Sequence, residues 1–190
     1  MSNKYNILSR EQYFQGDFSL ISIPKESIEL VREWRNDQIN VLRQSQNISA
    51  HEQKEYYEKN IWPSFSYQKP KNLVLLFLLG NVPVGYGGLV NISWDNLRAE
   101  VSFLSMTDIA NHDEKYSIHF SSYLKIIKEI AFEDLGLKRI FTETYSFRKK
   151  HIAILESCGF VYEGCLVNHN CIDGQQINSL IHGCLDSYER

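Results

Sequence analysis

The feature that most constrains this chain is the run Leu73–Leu79, LVLLFLL, in which no position is polar. It is far too short to cross a bilayer as a helix, which takes about 20 apolar residues. A strand without an alternating polar face is buried on both sides, so Asn72–Leu79 reads as a buried strand of a sheet covered above and below. Gly80-Asn81 is a two-residue turn signal, and Val82–Ile92 follows as a second strand. Gly85, Gly87 and Gly88 in its middle point to a bulge or to the close approach of another backbone. Asp95-Asn96 turns the chain again, and Ala99–Met106 completes a three-strand meander.

The flanking segments supply the covering layers. Phe18–Ile23 alternates like a strand and ends at Pro24. Ser27–Asn36 has helical spacing through Ile28, Val31, Trp34 and Arg35. Ser49 followed by Glu52 is a capping box that starts a second helix, expected to reach about Asn60. After a polar loop at Asp108–Lys115, a long amphipathic helix is expected from Tyr116 to Leu135, closed by Gly136. Arg139–Thr144 is a strand, Arg148–Cys158 a short helix stopped by Gly159, and Tyr162–Asn170 and Gln176–Leu185 a strand pair turned at Asp173-Gly174. This order predicts an α/β (α+β) fold: a mixed, mostly antiparallel sheet of about seven strands with helices on both faces. The expected organisation is one domain over 1–190, with 1–16 as an N-terminal extension.

Composition narrows the function classes. Twenty Lys and Arg stand against 23 Asp and Glu, a formal net charge of −3, which argues against nucleic acid as the partner. Met1–Tyr13 has no apolar core of a signal peptide, so a soluble cytoplasmic protein without membrane contact is expected. The four cysteines, Cys158, Cys165, Cys171 and Cys184, form no CxxC pair, and reduced thiols without a metal are expected.

The segment AFEDLGLKRIFTETYSFRKKHIAILESCGFVYEG, with ILESCGF and the EG after it, resembles the long helix, fifth strand, short helix and next strand of the GNAT N-acetyltransferase family. VREWRND in the first helix and DGQQINSLIHGCL at the end resemble the branch of ribosomal-protein N-terminal and bacterial amino-sugar N-acetyltransferases. The resemblance implies a sheet splayed between its fourth and fifth strands, Ala99–Met106 and Arg139–Thr144. Acetyl-CoA is the implied co-substrate, its pantetheine arm bonded to free backbone of the fourth strand at Phe103, Leu104 and Ser105. The pyrophosphate is expected at the start of the long helix, at Lys115, Ser117 and Ser121, with Arg148 as a further phosphate contact. Ile118 and Phe120 stand where the family has glycine. Leu155 stands at the position of the family's acid tyrosine, and His151 at that of a serine used by another branch.

The catalytic candidates are Glu100 and His151. Strand alternation puts Glu100, Ser102 and Leu104 on one face. Glu100 is either the base for the amine or a rim carboxylate paired with Arg98 or Lys71. His151 is either the acid for the thiolate or a surface residue beside Arg148, Lys149 and Lys150. Arg35, Tyr56, Trp62, Tyr67 and Trp94 are candidates for an acceptor pocket, the aromatics alternatively forming a satellite core. Arg35 and Arg43 are the expected cations for an acceptor's phosphates. The expected partner is a small-molecule amine, such as a nucleotide-linked amino sugar, bound by a monomer or homodimer. A protein N-terminal amine and a non-catalytic GNAT-like module are the alternatives.

Overall fold

The computed structural model describes residues 4–186. Its strands are β1 (Gln12–Gln15), β2 (Phe18–Ser22), β3 (Leu73–Leu79), β4 (Val82–Ser93), β5 (Arg98–Ser105), β6 (Arg139–Tyr145), β7 (Val161–Ile172) and β8 (Gln175–Leu185). The helices are α1 (Ile28–Asp37), α2 (Ala50–Tyr56), α3 (Thr107–Ala110), α4 (Asp113–Lys128) and α5 (Lys149–Ser157). Among the described residues, eight strands form one sheet in the order β1-β2-β3-β4-β5-β6-β8-β7. The strand beyond the expected seven is β1, joined to β2 by a turn at Gly16 and paired antiparallel to it. It lies in the segment read as an extension, which also sends Tyr5, Leu8 and Tyr13 into the core. Val74 N–H donates to Tyr5 Oη at 2.9 Å, so that segment is stitched to β3. The expected fourth and fifth strands are therefore β5 and β6.

β3 sits third from the β1 edge of the described sheet and is buried at five of its seven positions, as an unbroken apolar run requires. Alternation on β5 assigns the two faces. Phe103 packs on Phe120 and Tyr123 of α4, at ring distances of 4.8 and 4.5 Å. Tyr86 of β4, in register with Leu104, instead faces α1, where its hydroxyl accepts from Arg35 at 2.8 Å. Helices α1 and α2 thus cover the face of Glu100, Ser102 and Leu104, and α4 covers the opposite one.

The capping box of α2 is formed, Ser49 Oγ accepting from Glu52 N–H, and the helix runs on through a π-turn at Tyr57–Ile61. The expected loop before the long helix is mostly helical: α3 occupies Thr107–Ala110 and α4 begins at Asp113, three residues early. It continues through a π-turn at Glu129–Asp134 and ends at Gly136, φ 65°. No helix among the described residues is long and apolar enough to cross a membrane.

The β4 glycines mark close backbone approach. A Cβ on Gly87 would lie 2.1 Å from Ser102 O and 2.6 Å from Tyr123 Oη. One on Gly88, φ 144°, would lie 1.8 Å from Leu73 O. Gly88→Ala is expected to cost about 2–4 kcal/mol. That should lower Tm by roughly 5–15 °C in thermal unfolding of a domain of this size.

Candidate active site

The site begins where the sheet comes apart. β5 and β6 pair in parallel only at Arg98↔Arg139, Ala99↔Ile140 and Glu100↔Phe141. Beyond Glu100 the two strands diverge. Met106 N–H donates to Val84 O, while Leu97 O accepts from Lys138 and Arg139 N–H. Even-numbered residues of β5 therefore turn their backbone groups to β4, and odd-numbered ones face β6. The C=O of Val101 and the backbone groups of Phe103 and Ser105 point into the gap, and Ser105 O is taken by Gln38 Nε2 at 2.9 Å. Leu104 is corrected by this geometry: its N–H and C=O are committed to the β4 ladder and its side chain is buried.

On the α4 side the gap is walled by a stack of rings. Phe103 stacks on Phe120, and Phe120 stacks on His151 of α5 at 4.1 Å. His151 is thus a buried residue and not a surface one. Tyr116 Oη lies 2.7 Å from His151 Nδ1 and 3.2 Å from Arg148 Nη2. A guanidinium only donates, so Arg148 donates to Tyr116 Oη, which passes its own hydrogen to His151 Nδ1 and leaves the ring proton on Nε2. Burial, with Arg148 and then His182 adding to it, pushes His151 well below its ordinary value of 6.5. Burial raises the Tyr116 hydroxyl, and Arg148 partly offsets this. Tyr116 was not singled out from the sequence; it reads there as one more apolar-face residue of α4.

A carboxylate stands on each side of the gap. Glu100, on β5, and Glu143, on β6, are 12% and 16% exposed, and one guanidinium nitrogen of Arg43 lies 2.8 and 3.1 Å from them. Asn91 Nδ2 donates to the other Glu100 oxygen at 2.9 Å. It does so from a left-handed position, φ 52°, at an irregularity in the β4–β5 pairing. Arg43 and Asn91, and not Arg98 or Lys71, are the partners of Glu100. Glu143 was missed, although alternation along FTETY puts it on the face opposite Thr142.

WRND organises the loop that leads to Arg43. Asn36 Oδ1 accepts from Ile48 N–H and Gln44 Nε2, and its Nδ2 donates to Ile48 O, so the side chain pins residues 44–48 to α1. Arg35 donates to Gln44 Oε1 and Tyr86 Oη. Under this loop is a cavity of about 540 Å³ lined by Arg35, Arg43, Tyr56, Tyr57, Tyr86 and Ser102 among others. Arg35, Arg43 and Ser102 also line the gap itself, about 230 Å³, so the two spaces adjoin. A third space of about 460 Å³ continues the gap past Ser105 and Tyr116 to Arg148, Lys149 and Lys150.

The other candidate residues are dispersed. Tyr116 N–H donates to His112 O, so Lys115 is the last residue of α4 with an uncommitted N–H. Ser117 and Ser121 lie in the helix interior, with their N–H groups bonded within it, so what they offer an anion is their hydroxyls. Trp62 packs on Tyr57 and under Lys25, beside a separate cavity of about 730 Å³. Tyr67 is exposed on the loop beyond, and Trp94 is half-buried against the core with its N–H on Pro70 O. Of the five acceptor candidates, Arg35 and Tyr56 line the cavity next to the gap.

A mixed sheet opened between its parallel neighbours, with free strand backbone facing the opening, is an architecture that binds an acyl carrier as an added strand. Residues 21–181 match the family model of the acetyltransferase (GNAT) domain, and the chain belongs to that family. It is an N-acetyltransferase, and its co-substrate is acetyl-CoA. No protein of curated function matches it in sequence. Among solved structures it is similar to spermidine N-acetyltransferase from Vibrio cholerae in complex with CoA and spermine. That TM-score is 0.78 at 18% identity, over 91% of this chain and 98% of that one. A dodecameric structure of the same enzyme gives 0.74 at 19% identity, over 91% and 96%. At these identities the likeness is one of fold.

The His151 environment sets a pH dependence. Its folded pKa is depressed, so the unfolded chain takes up the proton first. The associated stability is complete above the unfolded value of about 6.5 and is lost as pH falls below it. Tm is expected to decline between about pH 7 and pH 5, and His151→Gln should flatten that decline. Part of the slope should remain, because burial also depresses His119.

Proposed function

We propose that this chain acetylates the primary amine of a small molecule held in the cavity under residues 44–48, with a nucleotide-linked amino sugar as the acceptor that suits it. The observation that carries the reading is the adjacency of that cavity of about 540 Å³ to the gap between β5 and β6. A cleft of this size takes a small ligand, and Tyr56, Tyr57 and Tyr86 offer ring faces for it.

In this reading acetyl-CoA lies along the gap, its amide arm bonded to the free groups of Val101 and Phe103. The Phe103 N–H donates to the thioester oxygen as charge builds there. The acceptor enters from the cavity side, so both reactants meet at Glu100. The acceptor ammonium loses one proton to Glu100, and its lone pair attacks the carbonyl carbon. The tetrahedral intermediate then expels the CoA thiolate, and the amine gives up its second proton as the amide forms. His151 Nε2–H, oriented by Tyr116 and Arg148, donates a hydrogen bond to the leaving thiolate, which takes up the amine's second proton through solvent. The phosphates of CoA are assigned to Arg148, Lys149 and Lys150 at the start of α5.

A thiol-release assay tests the acceptor. Turnover is expected with amino-sugar nucleotides, compared side by side with spermidine and with ribosomal-protein N-terminal peptides. Turnover on the peptides alone would overturn the small-molecule reading. Glu100→Gln should lower kcat by about 100-fold or more with acetyl-CoA affinity unchanged by calorimetry. An unaltered pH–rate profile in that variant would remove Glu100 from the chemical step.

A further inference from the structure

Two arginines face the acceptor cavity, and they differ in one respect. Arg43 is neutralised by Glu100 and Glu143. Arg35 is half-buried, and its Nε and Nη1 are spent on uncharged partners, Gln44 Oε1 at 3.0 Å and Tyr86 Oη at 2.8 Å. No carboxylate among the described residues lies within ion-pair distance of it. A guanidinium has five N–H donors, so Arg35 keeps both its charge and unused donors at the cavity wall. A partly desolvated, unneutralised cation is a cost that an anion from the ligand removes.

The other end of the space differs. Two carboxylates share the single charge of Arg43 beside the gap where the amine reacts, and Arg148, bonded to Tyr116 Oη, lines the same gap. Thr142 Oγ1, buried and without a hydrogen-bond partner, lines the same gap. Glu52 also lines the acceptor cavity, where it is engaged by the Ser49 cap of α2, so the cations there, Arg35 and Arg43, outnumber the acids.

We infer that Arg35 is the specificity-determining residue for the acceptor, and that the acceptor is an amine carrying an oxyanion, a phosphate or a carboxylate, which Arg35 binds. The inference rests on the proposed small-molecule reading and deepens it. It sets this chain apart from enzymes for polyamines, which carry positive charge at every end. Tyr86 and Gln44 hold the guanidinium in place on α1, so the anion is read by a fixed fork.

Matched amines test it. Glucosamine is compared with glucosamine 6-phosphate, and putrescine with 4-aminobutyrate, by thiol release and by calorimetry in the presence of CoA. The anionic member of at least one pair is expected to bind and react about 10- to 100-fold better, the range of a charge-assisted contact. The pair that responds distinguishes phosphate from carboxylate. Arg35→Gln should abolish that preference, read as the ratio of kcat/KM between the two members of a pair, and Arg35→Lys should restore part of it. Tyr86→Phe, which keeps the cation, should retain the preference. A better response to putrescine or glucosamine, or an equal loss on both members of a pair in Arg35→Gln, would overturn the inference. Calorimetry reads the preference without turnover, so its absence there counts against Arg35 alone. Binding of the amines without any acetylation counts against the proposed acceptor reading.

Discussion

The parallel contact between β5 and β6 lasts for three residue pairs, and the site depends on its ending there. The crossover through α4 makes the two strands parallel neighbours. Continued pairing would satisfy the backbone of Val101, Phe103 and Ser105 and close the sheet. The ring stack of Phe103, Phe120 and His151 instead fills one side of the divergence. The connection after α1 fills the other, with Tyr145 donating to Leu42 O and Gln38 to Ser105 O. Each unsatisfied buried backbone group costs about 1–3 kcal/mol, so an opening left partly unbonded is one the surrounding core must stabilise. In the proposed reading the amide arm of acetyl-CoA, bonded as an added strand, recovers that cost.

The same opening fixes the electrostatics. Pairing stops at Glu100, so Glu100 and Glu143 lie on diverging strands and one arginine spans them. Arg43 reaches that position because Asn36 and Arg35 pin the loop that follows it to α1. Substituting Asn36 therefore acts on the carboxylates at a distance, through the loop. The formal net charge of −3 carries none of this information, because the polarity of the site comes from which charges are neutralised locally.

Much of the fold was legible in the chain. The unbroken apolar run, the turn dipeptides, the capping box and the helix-closing glycines each have a local physical cause, and each appears at its place. β1 escaped because Gln12–Gln15 is short and polar and its pairing is set by the turn at Gly16. The site was less legible. Parity along β5 correctly grouped Glu100 with Ser102 and Leu104, but parity cannot name the partner across the gap, and Arg43 arrives from 57 positions earlier. The aromatic-rich segment looked like one surface. In three dimensions it divides, with Tyr56 at the acceptor cavity and Trp62 on a separate one.

The loss of glycine at the start of the long helix has a structural consequence that differs between its two positions. Ile118 is 59% exposed and obstructs nothing. Phe120 points inward and is part of the ring wall. With these side chains the helix starts earlier, at Asp113, and its first turn holds Asp113 and Glu114. Those carboxylates already satisfy the positive end of the α4 dipole and repel a second anion. The first turn of α5 has no acid, carries Lys149 and Lys150 after Arg148, and is tied to the α4 start through Lys150 and Asp113 at 2.7 Å. In the proposed reading the pyrophosphate is therefore assigned to the start of the short helix and not to the start of the long one. In that reading only the anion site differs, and the β5 backbone facing the gap keeps the acyl arm.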